Sequence, residues 1–307
     1  MYFRAFYGVP ESVTAPDGMP VNAVRGFTDM VSTLITRYRP THLVACLDYD
    51  WRPAFRVELI PAYKAHRVAV EAGSGQHPDG VSNGGPDVEE APDTLTPQVP
   101  VLLEVLAAAG LCAVGAVGFE ADDVIATLAD RYDRRGVDVD VVSGDRDLIG
   151  VVTDRVRVLY TGRGMSKIAE LDPGEVERVY GVPADRYPDF AVLRGDPSDG
   201  LPGVPGVGAK TAVTAVNQFG SIERLLAAAR DGASPMAAPL RKKILAAADY
   251  LAVAPQVVRG RTDCPVGELD CAIPAEPVDP GALAELTRGY GIASAVERLR
   301  KALASVG

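Results

Sequence analysis

Three acidic residues within four positions are the feature of this sequence that most constrains its fold. Glu120, Asp122 and Asp123 follow an apolar segment, LCAVGAV, and precede a run, VIATLA, whose apolar positions have helical spacing. A helix N-terminus tolerates some negative charge, but three acids beside a buried strand require a further counter-charge. The pattern therefore predicts a strand that turns into a helix, with a divalent metal ion at the junction.

Further acids stand at strand ends and in loops along the chain. These additional candidate ligands are Asp48, Asp145, Asp147, Asp196 and Asp199. Any one of them alone could simply cap a helix or close a turn. In an α/β sheet, however, the carboxyl ends of the strands share one crevice, so the recurrence favours a common site. Oxygen ligands without His or Cys suit Mg²⁺ or Mn²⁺, and two such ions could clamp a phosphodiester.

Length and charge narrow the class of protein. A chain of 307 residues can hold one α/β domain and a smaller helical part. It has no apolar run of eighteen residues and no signal-peptide pattern, so we expect a cytoplasmic protein without a membrane segment. The formal net charge of −10 argues against a nucleic-acid partner, but setting aside the eight acids named above leaves only −2. Local basic clusters then matter more than the total.

Residues 50–67 interleave basic and aromatic side chains directly after Asp48. This composition suits an amphipathic surface loop as well as a surface that binds phosphates and stacks bases. The following residues 71–97 are rich in Gly, Pro, Asp and Ser and lack apolar periodicity, which predicts a flexible insert. Such a long loop in a compact domain is usually functional or disordered.

A Gly/Pro-rich hairpin, LPGVPGVGAKTA, leads into a predicted helix at residues 201–212. Its glycines allow a tight turn and the close approach of another backbone, and the amides at the helix start can hold a phosphate. The segment is not a dinucleotide-binding GxGxxG, because it does not directly follow a strand, and its spacing is too short for a Walker A loop. We therefore expect a turn that can hold a phosphate rather than a plain turn between helices.

Taken in order, these segments resemble the 5′-nuclease (flap endonuclease) family, which includes the 5′-nuclease domain of bacterial DNA polymerase I and stand-alone bacterial homologues. The resemblance rests on FRAFYG, CLD, PAYKAHR, GFEADDVIATLA, VVSGDRDLIGVV and LRGDPSDGLPGVPGVGAKTA, and reaches the late RTD segment at 261–263. It implies an α/β fold whose parallel-sheet (PIN-like or Rossmann-like) nuclease core carries a helical arch region and a C-terminal helix-hairpin-helix subdomain. It also implies a structure-specific nuclease of DNA replication and repair that cleaves 5′ flaps and 5′ ends with two or more Mg²⁺ or Mn²⁺ ions.

The same resemblance assigns the acids to metals. The residues that would serve the first metal are Asp48, Glu120 and Asp122. Those that would serve the second are Asp145, Asp147, Asp196 and Asp199. Asp122 or Asp145 would reach both ions, and Asp123 would support the site.

Contacts with DNA are implied as well. Lys64 and Arg67 would touch the scissile phosphate and act in catalysis, Tyr63 would lie near a stacked unpaired base, and Arg4 would help bind the 5′ phosphate region. The contacts implied for the hairpin are Gly203, Gly206, Gly208, Lys210 and Thr211. Carbonyls near Val204 and Val207 could hold K⁺.

The family pattern also contains a first strand ending in an Asp, at a position that would precede Met1. We therefore weigh an alternative, a DNA-binding homologue with weak or no catalytic activity. The eight acids present count against it, since a binder need not concentrate negative charge where phosphate lies. A PIN-like ribonuclease is a third reading, against which the hairpin and the chain length argue.

The expected organisation is a nuclease core over residues 1–195 followed by a helix-hairpin-helix and helical region over 196–307 packed on the core. The arch region would span residues 63–100 and include the flexible insert. We expect a monomer that acts on flap, nicked or branched DNA, and the sequence does not identify its protein partners.

Overall fold

The structure, a computed structural model, describes residues 1–69 and 89–306. The strands in these residues are β1 (Val44–Leu47), β2 (Cys112–Gly115), β3 (Val139–Ser143), β4 (Val156–Tyr160) and β5 (Ala169–Leu171). The α-helices are α1 (Tyr2–Gly8), α2 (Asn22–Tyr38), α3 (Ala54–Leu59), α4 (Gln98–Ala109), α5 (Ala121–Arg134), α6 (Pro173–Tyr180), α7 (Tyr187–Arg194), α8 (Ala209–Phe219), α9 (Ile222–Arg230), α10 (Ala238–Ala246), α11 (Ala248–Val258), α12 (Pro280–Tyr290) and α13 (Ala293–Ala304).

Contacts divide the chain into two compact units. Unit 1 contains Met1–Leu47, Ala91–Gly115 and Pro265–Gly307, and unit 2 contains Asp48–Glu90 and Ala116–Cys264. This division differs from the predicted boundary at residue 195. The reason is that α8 to α11 share one hydrophobic core with β3 and β4, whereas α12 and α13 share another with α2 and α4.

Unit 1 is built on the parallel pair β1 and β2, in register from Val44–Cys112 to Leu47–Gly115. Helix α2 lies where the apolar spacing of residues 21–38 predicts it, and its Val24 and Ile35 are fully buried. The left-handed Gly110 (φ 79°) ends α4 just before β2, as a C-terminal glycine commonly does. Strand β2 therefore starts soon after α4 ends, and the chain then continues to the turn at Gly118, just before the acidic residues.

Part of the predicted insert at 71–97 is ordered. Residues 70–88 lie outside the described residues, and so does half of the predicted arch region at 63–100. Glu89 pairs with Val68, and Leu95 is only 1% exposed, packed with Phe6. The prediction of flexibility is thus wrong for residues 89–97, because one apolar side chain in a polar segment is enough to anchor it.

Unit 2 contains a second small sheet, in which β3 pairs in parallel with β4 and β4 pairs antiparallel with β5. The predicted parallel pairing is confirmed, but the strands of the described residues form two ladders rather than one continuous parallel sheet. The turn between β4 and β5 is too short for a parallel crossover, so β5 reverses direction. None of the helices in residues 1–69 and 89–306 is long and apolar enough to cross a membrane.

Candidate active site

The start of α5 places the first acids. Glu120 is the residue before the helix, and its N–H donates to Asp123 Oδ2 at 3.2 Å. Asp48, directly after β1, accepts the free N–H of Ala121 on its Oδ1 at 2.8 Å. This amide belongs to the first turn, where no helical partner exists, so a carboxylate satisfies it well. Asp48 is thereby fixed beside Glu120 and Asp122.

The loop after β3 carries the next two acids. The N–H of Asp145 donates to Ser143 Oγ at 3.0 Å, and Asp147 begins a short 3-10 turn that ends at Val151. Leu148 and Ile149 in this turn are almost fully buried. The apolar pair anchors the loop in the core of unit 2, so the two aspartates are held at the strand end.

Glycines close the loop that bears Asp196 and Asp199. Gly195 and Gly203 both have positive φ, and a Cβ on Gly203 would lie 2.5 Å from the Gly195 nitrogen. Asp196 and Leu201 exchange backbone hydrogen bonds at 3.0 and 2.8 Å across this close contact. Only glycine permits two backbones to approach so closely. The glycines of the hairpin therefore also shape the acidic loop.

The same loop meets the segment that bears Lys64. The Lys64 N–H donates to the Asp199 carbonyl at 3.0 Å, and a Cβ on Gly200 would lie 2.3 Å from the Ala62 carbonyl oxygen. Gly200 has a φ of 71°, which also favours glycine. Backbone contacts thus join residues distant in sequence at one place.

Seven of the eight predicted acids act on one another electrostatically. Burial, followed by the charges of Asp145, Glu120 and Asp48, raises the pKa of Asp122 to about 8. Burial likewise raises the pKa of Asp147 well above its usual value, and the charges of Asp145, Asp199, Asp122 and Asp196 add to the effect. The pKa of Asp199 is raised by burial and by Asp145 and Asp196, although Lys64 opposes the shift. We call these seven residues the acidic cluster: Asp48, Glu120, Asp122, Asp145, Asp147, Asp196 and Asp199.

The acidic cluster fits divalent cations by its chemistry. Its donors are carboxylate oxygens, which Mg²⁺ and Mn²⁺ prefer, and their mutual repulsion is what a bound cation relieves. Within the described part of the chain, no three Asp, Glu, His or Cys side chains already converge on one metal position.

The eighth acid, Asp123, has a different environment. Arg56 binds it through two hydrogen bonds of 2.6 Å, and the N–H of Arg261 donates to its Oδ1 at 2.9 Å. Asp123 is 0% exposed and Arg56 is 3% exposed. Burial opposes ionisation of Asp123, but the hydrogen bonds from Arg56 outweigh it and lower the pKa. Both of its oxygens are thus bound by a buried guanidinium, and its supporting role in the metal site stays a prediction.

Sequence reasoning missed this role of Arg56. It grouped the arginine with the other basic residues of 50–67 as a surface for DNA, yet the side chain is buried and its Nε donates to the Val257 carbonyl at 2.8 Å. A basic residue in a largely apolar stretch, AFRVELI, was the available hint, because a buried charge requires a partner.

Lys64 and Tyr63 hold Glu120. The Lys64 ammonium lies 2.5 Å from Glu120 Oε2, and the Tyr63 hydroxyl donates to Oε1 at 2.8 Å. Tyr63 is 3% exposed, so its own ring cannot stack on a base in this conformation, and a base stacked near it stays a prediction. The ring is part of the hydrophobic core and leaves no face open to a base.

Arg67 lies near Lys64 but is engaged by an acid. Its guanidinium forms an ion pair with Glu89, and it also lies over the Trp51 ring, 5.6 Å from the centroid. The neighbouring Arg52 donates to the Tyr63 carbonyl at 2.6 Å and to the Pro61 carbonyl at 2.8 Å. In the free protein the basic side chains of this segment therefore hold the segment itself together.

The hairpin predicted to contact DNA forms as a turn before α8. Gly203 and Gly206 have positive φ, Gly208 precedes the helix, and Lys210 and Thr211 are exposed in its first turn. Val204 and Val207 are buried, and the Val204 carbonyl accepts the Val207 N–H at 2.9 Å. Arg4 lies on α1 in unit 1, and its contact with a 5′ phosphate stays a prediction.

Comparison with protein families matches almost the whole chain. The model of the 5′-3′ exonuclease N-terminal resolvase-like domain matches residues 1–181, and that of the 5′-3′ exonuclease C-terminal SAM fold matches residues 182–279. A 5′-3′ exonuclease of Mycobacterium tuberculosis is 54% identical over 99% of this chain and 95% of its own length. A 5′-3′ exonuclease of Streptomyces coelicolor is 48% identical over 97% and 96%.

Solved structures show the same fold at low sequence identity. The T5 D15 protein co-crystallised with metal ions has a TM-score of 0.57 at 16% identity, covering 92% of this chain and 89% of that one. The catalytic core of Rad2 in complex with DNA substrate has a TM-score of 0.58 at 16% identity, covering 96% and 88%. At this identity the similarity establishes the fold alone.

Proposed function

The chain belongs to the 5′-3′ exonuclease family, and from that premise we propose that it hydrolyses DNA phosphodiesters at 5′ flaps and 5′ ends during replication and repair. The acidic cluster is the observation that carries the proposal. Burial, together with the gathering of seven carboxylates, raises the pKa values of Asp122 and Asp147 and opposes folding. A function that requires cations at this place accounts for an arrangement that stability alone would disfavour.

We assign Mg²⁺ or Mn²⁺ to the cluster in two positions. Asp48, Glu120 and Asp122 would hold one ion. The residues that would hold the other are Asp145, Asp147, Asp196 and Asp199. When bound, the two ions supply a water of lowered pKa and stabilise the leaving oxygen of the phosphodiester. Asp123 orients the start of α5, since Arg56 occupies both of its oxygens.

Lys64 supplies positive charge for the phosphate. Its ammonium has three N–H groups, of which one donates to Glu120 and a longer contact of 3.4 Å reaches the Trp51 carbonyl. A donor fixed in this way can bind a non-bridging phosphate oxygen, on which negative charge grows during the reaction. The Lys64–Asp199 backbone hydrogen bond places the lysine against the acidic cluster before DNA arrives.

Arg67 provides a second cation with a different geometry. A guanidinium binds two phosphate oxygens at once, which fixes the orientation of the phosphate as well as neutralising it. Arg67 lies over Trp51, and that contact limits where the guanidinium can point. In the free protein the Glu89 carboxylate is paired with the Arg67 guanidinium, so a phosphate must displace this carboxylate.

Duplex DNA is assigned to the hairpin and the start of α8. Lys210 and Thr211 are exposed there, and the main-chain amides at the start of α8 favour phosphate over base edges, so recognition depends on DNA structure rather than sequence. K⁺ at the carbonyls of Val204 and Val207 stays a prediction. The Val204 carbonyl already accepts one hydrogen bond and retains one lone pair for a cation.

Cleavage of a 5′-labelled flap duplex, with Mg²⁺ and Mn²⁺ titrated, tests the proposal. We expect metal-dependent cleavage near the base of the flap, and little cleavage of a matched RNA flap. Asp145→Asn should slow single-turnover cleavage by at least about a hundredfold, because it removes a charge from the cluster. Asp138→Asn is the matched control, since Asp138 is exposed and pairs only at 3.4 Å with Arg155.

Three results would redirect the assignment. Tight binding of the flap without cleavage at any metal concentration would indicate a DNA-binding homologue. Faster cleavage of the RNA flap would indicate a ribonuclease. Failure to bind or cleave any of the substrates would overturn the proposed function.

A further inference from the structure

We propose that Lys243 is a built-in cation of the hairpin and that it binds a phosphate of the DNA backbone while it remains on the Gly206 carbonyl. The inference deepens the proposed function and rests on it, because it assumes that duplex DNA lies against the hairpin. Sequence analysis did not single out this residue. The contact joins α10 to a turn 37 residues earlier in the chain.

The hairpin and the lysine fit each other closely. Lys243 Nζ donates to the Gly206 carbonyl oxygen at 2.7 Å. A Cβ on Gly206 would lie 3.1 Å from Nζ and 3.2 Å from Cε of the same lysine, so the side chain occupies the space that a larger residue would need. Gly206 also has a φ of 76°, which disfavours other residues. The glycine therefore permits both the turn and the lysine.

Helix α10 is fixed in place independently of this contact. Ile244 is fully buried, and the Arg241 guanidinium donates to the carbonyls of Ala229 and Ser234, both at 3.0 Å. Arg241 thus caps the preceding helix and its loop. Lys242 is exposed. Of these three successive basic residues, Arg241 binds backbone carbonyls, Lys242 faces solvent and Lys243 contacts the hairpin.

Lys243 keeps its charge available for a ligand. Among residues 1–69 and 89–306, no carboxylate forms an ion pair with it, and its hydrogen-bond partner is a neutral carbonyl. An ammonium has three N–H groups, and the carbonyl takes one. The carbonyl orients the ammonium without neutralising it, and two donors remain for phosphate oxygens. A charged donor held at a fixed position loses little freedom when it binds.

The test measures binding of a flap duplex by fluorescence anisotropy in EDTA, over a range of KCl concentrations. Lys243→Gln should bind about tenfold more weakly at moderate salt, because it loses a charged hydrogen bond. Its plot of log affinity against log salt should be shallower by about 0.9, the slope of one phosphate contact. Lys243→Arg should restore most of the affinity.

Lys242→Gln is the matched control, since it removes the same charge from the adjacent exposed position. We expect a smaller loss of affinity for it and unchanged cleavage at saturating DNA. Thermal unfolding of every variant verifies that the fold is retained. Gly206→Ala keeps the charge but displaces the lysine, and should weaken binding as Lys243→Gln does.

The result that overturns the inference is a Lys243→Gln variant that folds normally and matches the unaltered chain in both affinity and salt dependence. A Lys242→Gln variant that loses as much affinity as Lys243→Gln would overturn it as well, because the effect would then be one of general charge. These outcomes are distinct from failure of the proposed function, in which the unaltered chain would neither bind nor cleave the flap.

Discussion

The Lys64 ammonium lies 2.5 Å from Glu120 Oε2, and both side chains are nearly excluded from solvent. Burying two charges is costly, and their attraction offsets the cost only when the geometry is good and further hydrogen bonds are present. Tyr63 provides one of these on the opposite oxygen of Glu120. The pair thus holds a cationic donor beside the acidic cluster before any substrate arrives.

We predict that Lys64→Met slows flap cleavage without preventing DNA binding. Removing one charged donor to a reacting phosphate typically lowers kcat by about 10²–10³. Single-turnover rates at saturating flap DNA measure this effect. Arg155→Met is a suitable control, because this arginine is exposed, directly precedes β4 and forms an ion pair with Asp138. A Lys64→Met rate within threefold of the unaltered chain would contradict the assigned role.

The buried pair of Arg56 and Asp123 should matter chiefly for stability. Arg56→Met leaves Asp123 buried without its partner, and breaking such a pair costs about 3–5 kcal/mol in the free energy of unfolding. Denaturant unfolding monitored by circular dichroism gives the value. Arg157→Met breaks partly exposed ion pairs with Asp140 and Glu170 and should cost about 1 kcal/mol or less. Equal losses in the two variants would show that burial does not govern the Arg56 contact.

Much of the site was predictable because strand ends and helix starts are local features. Apolar runs followed by acids placed Asp48 and Asp145 at the ends of β1 and β3, and Glu120 at the start of α5, as the structure has them. The Gly/Pro pattern likewise predicted the turn before α8. Each of these inferences needs only the residues within one turn or strand.

Burial of charged and aromatic side chains was not predictable in the same way. Tyr63 and Arg56 lie in a segment whose composition suits a DNA-binding surface, yet both are in the interior. Their partners Glu120 and Asp123 are more than fifty residues away in sequence, so no local pattern reveals the contact. The same holds for Lys243 and Gly206. Sequence spacing predicts which residues share an element, but not which distant carboxylate or carbonyl a long side chain reaches.

Glu89 should compete with DNA for Arg67. Its carboxylate occupies the guanidinium in the free protein, and a phosphate has to displace it. We therefore predict that Glu89→Gln lowers KM for a flap substrate by about threefold, the size expected for a partly exposed ion pair, and leaves kcat nearly unchanged. Steady-state cleavage gives both constants. Glu90→Gln removes the same charge one residue further on, and an equal effect there would point to general charge rather than the contact with Arg67.

The acidic cluster should make the metal-free protein less stable as the pH rises. Asp122 has a pKa of about 8 in the fold, raised by burial and by Asp145, Glu120 and Asp48, against about 3.9 when unfolded. Between these values the folded state binds more protons, so the free energy of unfolding falls as the pH increases and the loss is complete only above pH 8. In EDTA we expect Tm to fall by about 5 °C between pH 6 and pH 8. Added Mg²⁺ should raise Tm more at pH 8 than at pH 6.

Asp122→Asn isolates this contribution. The variant has no carboxylate to ionise at that position, so its Tm in EDTA should change less between pH 6 and pH 8 than that of the unaltered chain. The chain also contains three His residues, which titrate in the same range, but the difference between the two proteins removes their contribution. Parallel profiles of Tm against pH for the two proteins would show that ionisation of Asp122 does not destabilise the fold. A higher Tm for Asp122→Asn at pH 8, together with lost cleavage, would show that the cluster gives up stability for its function.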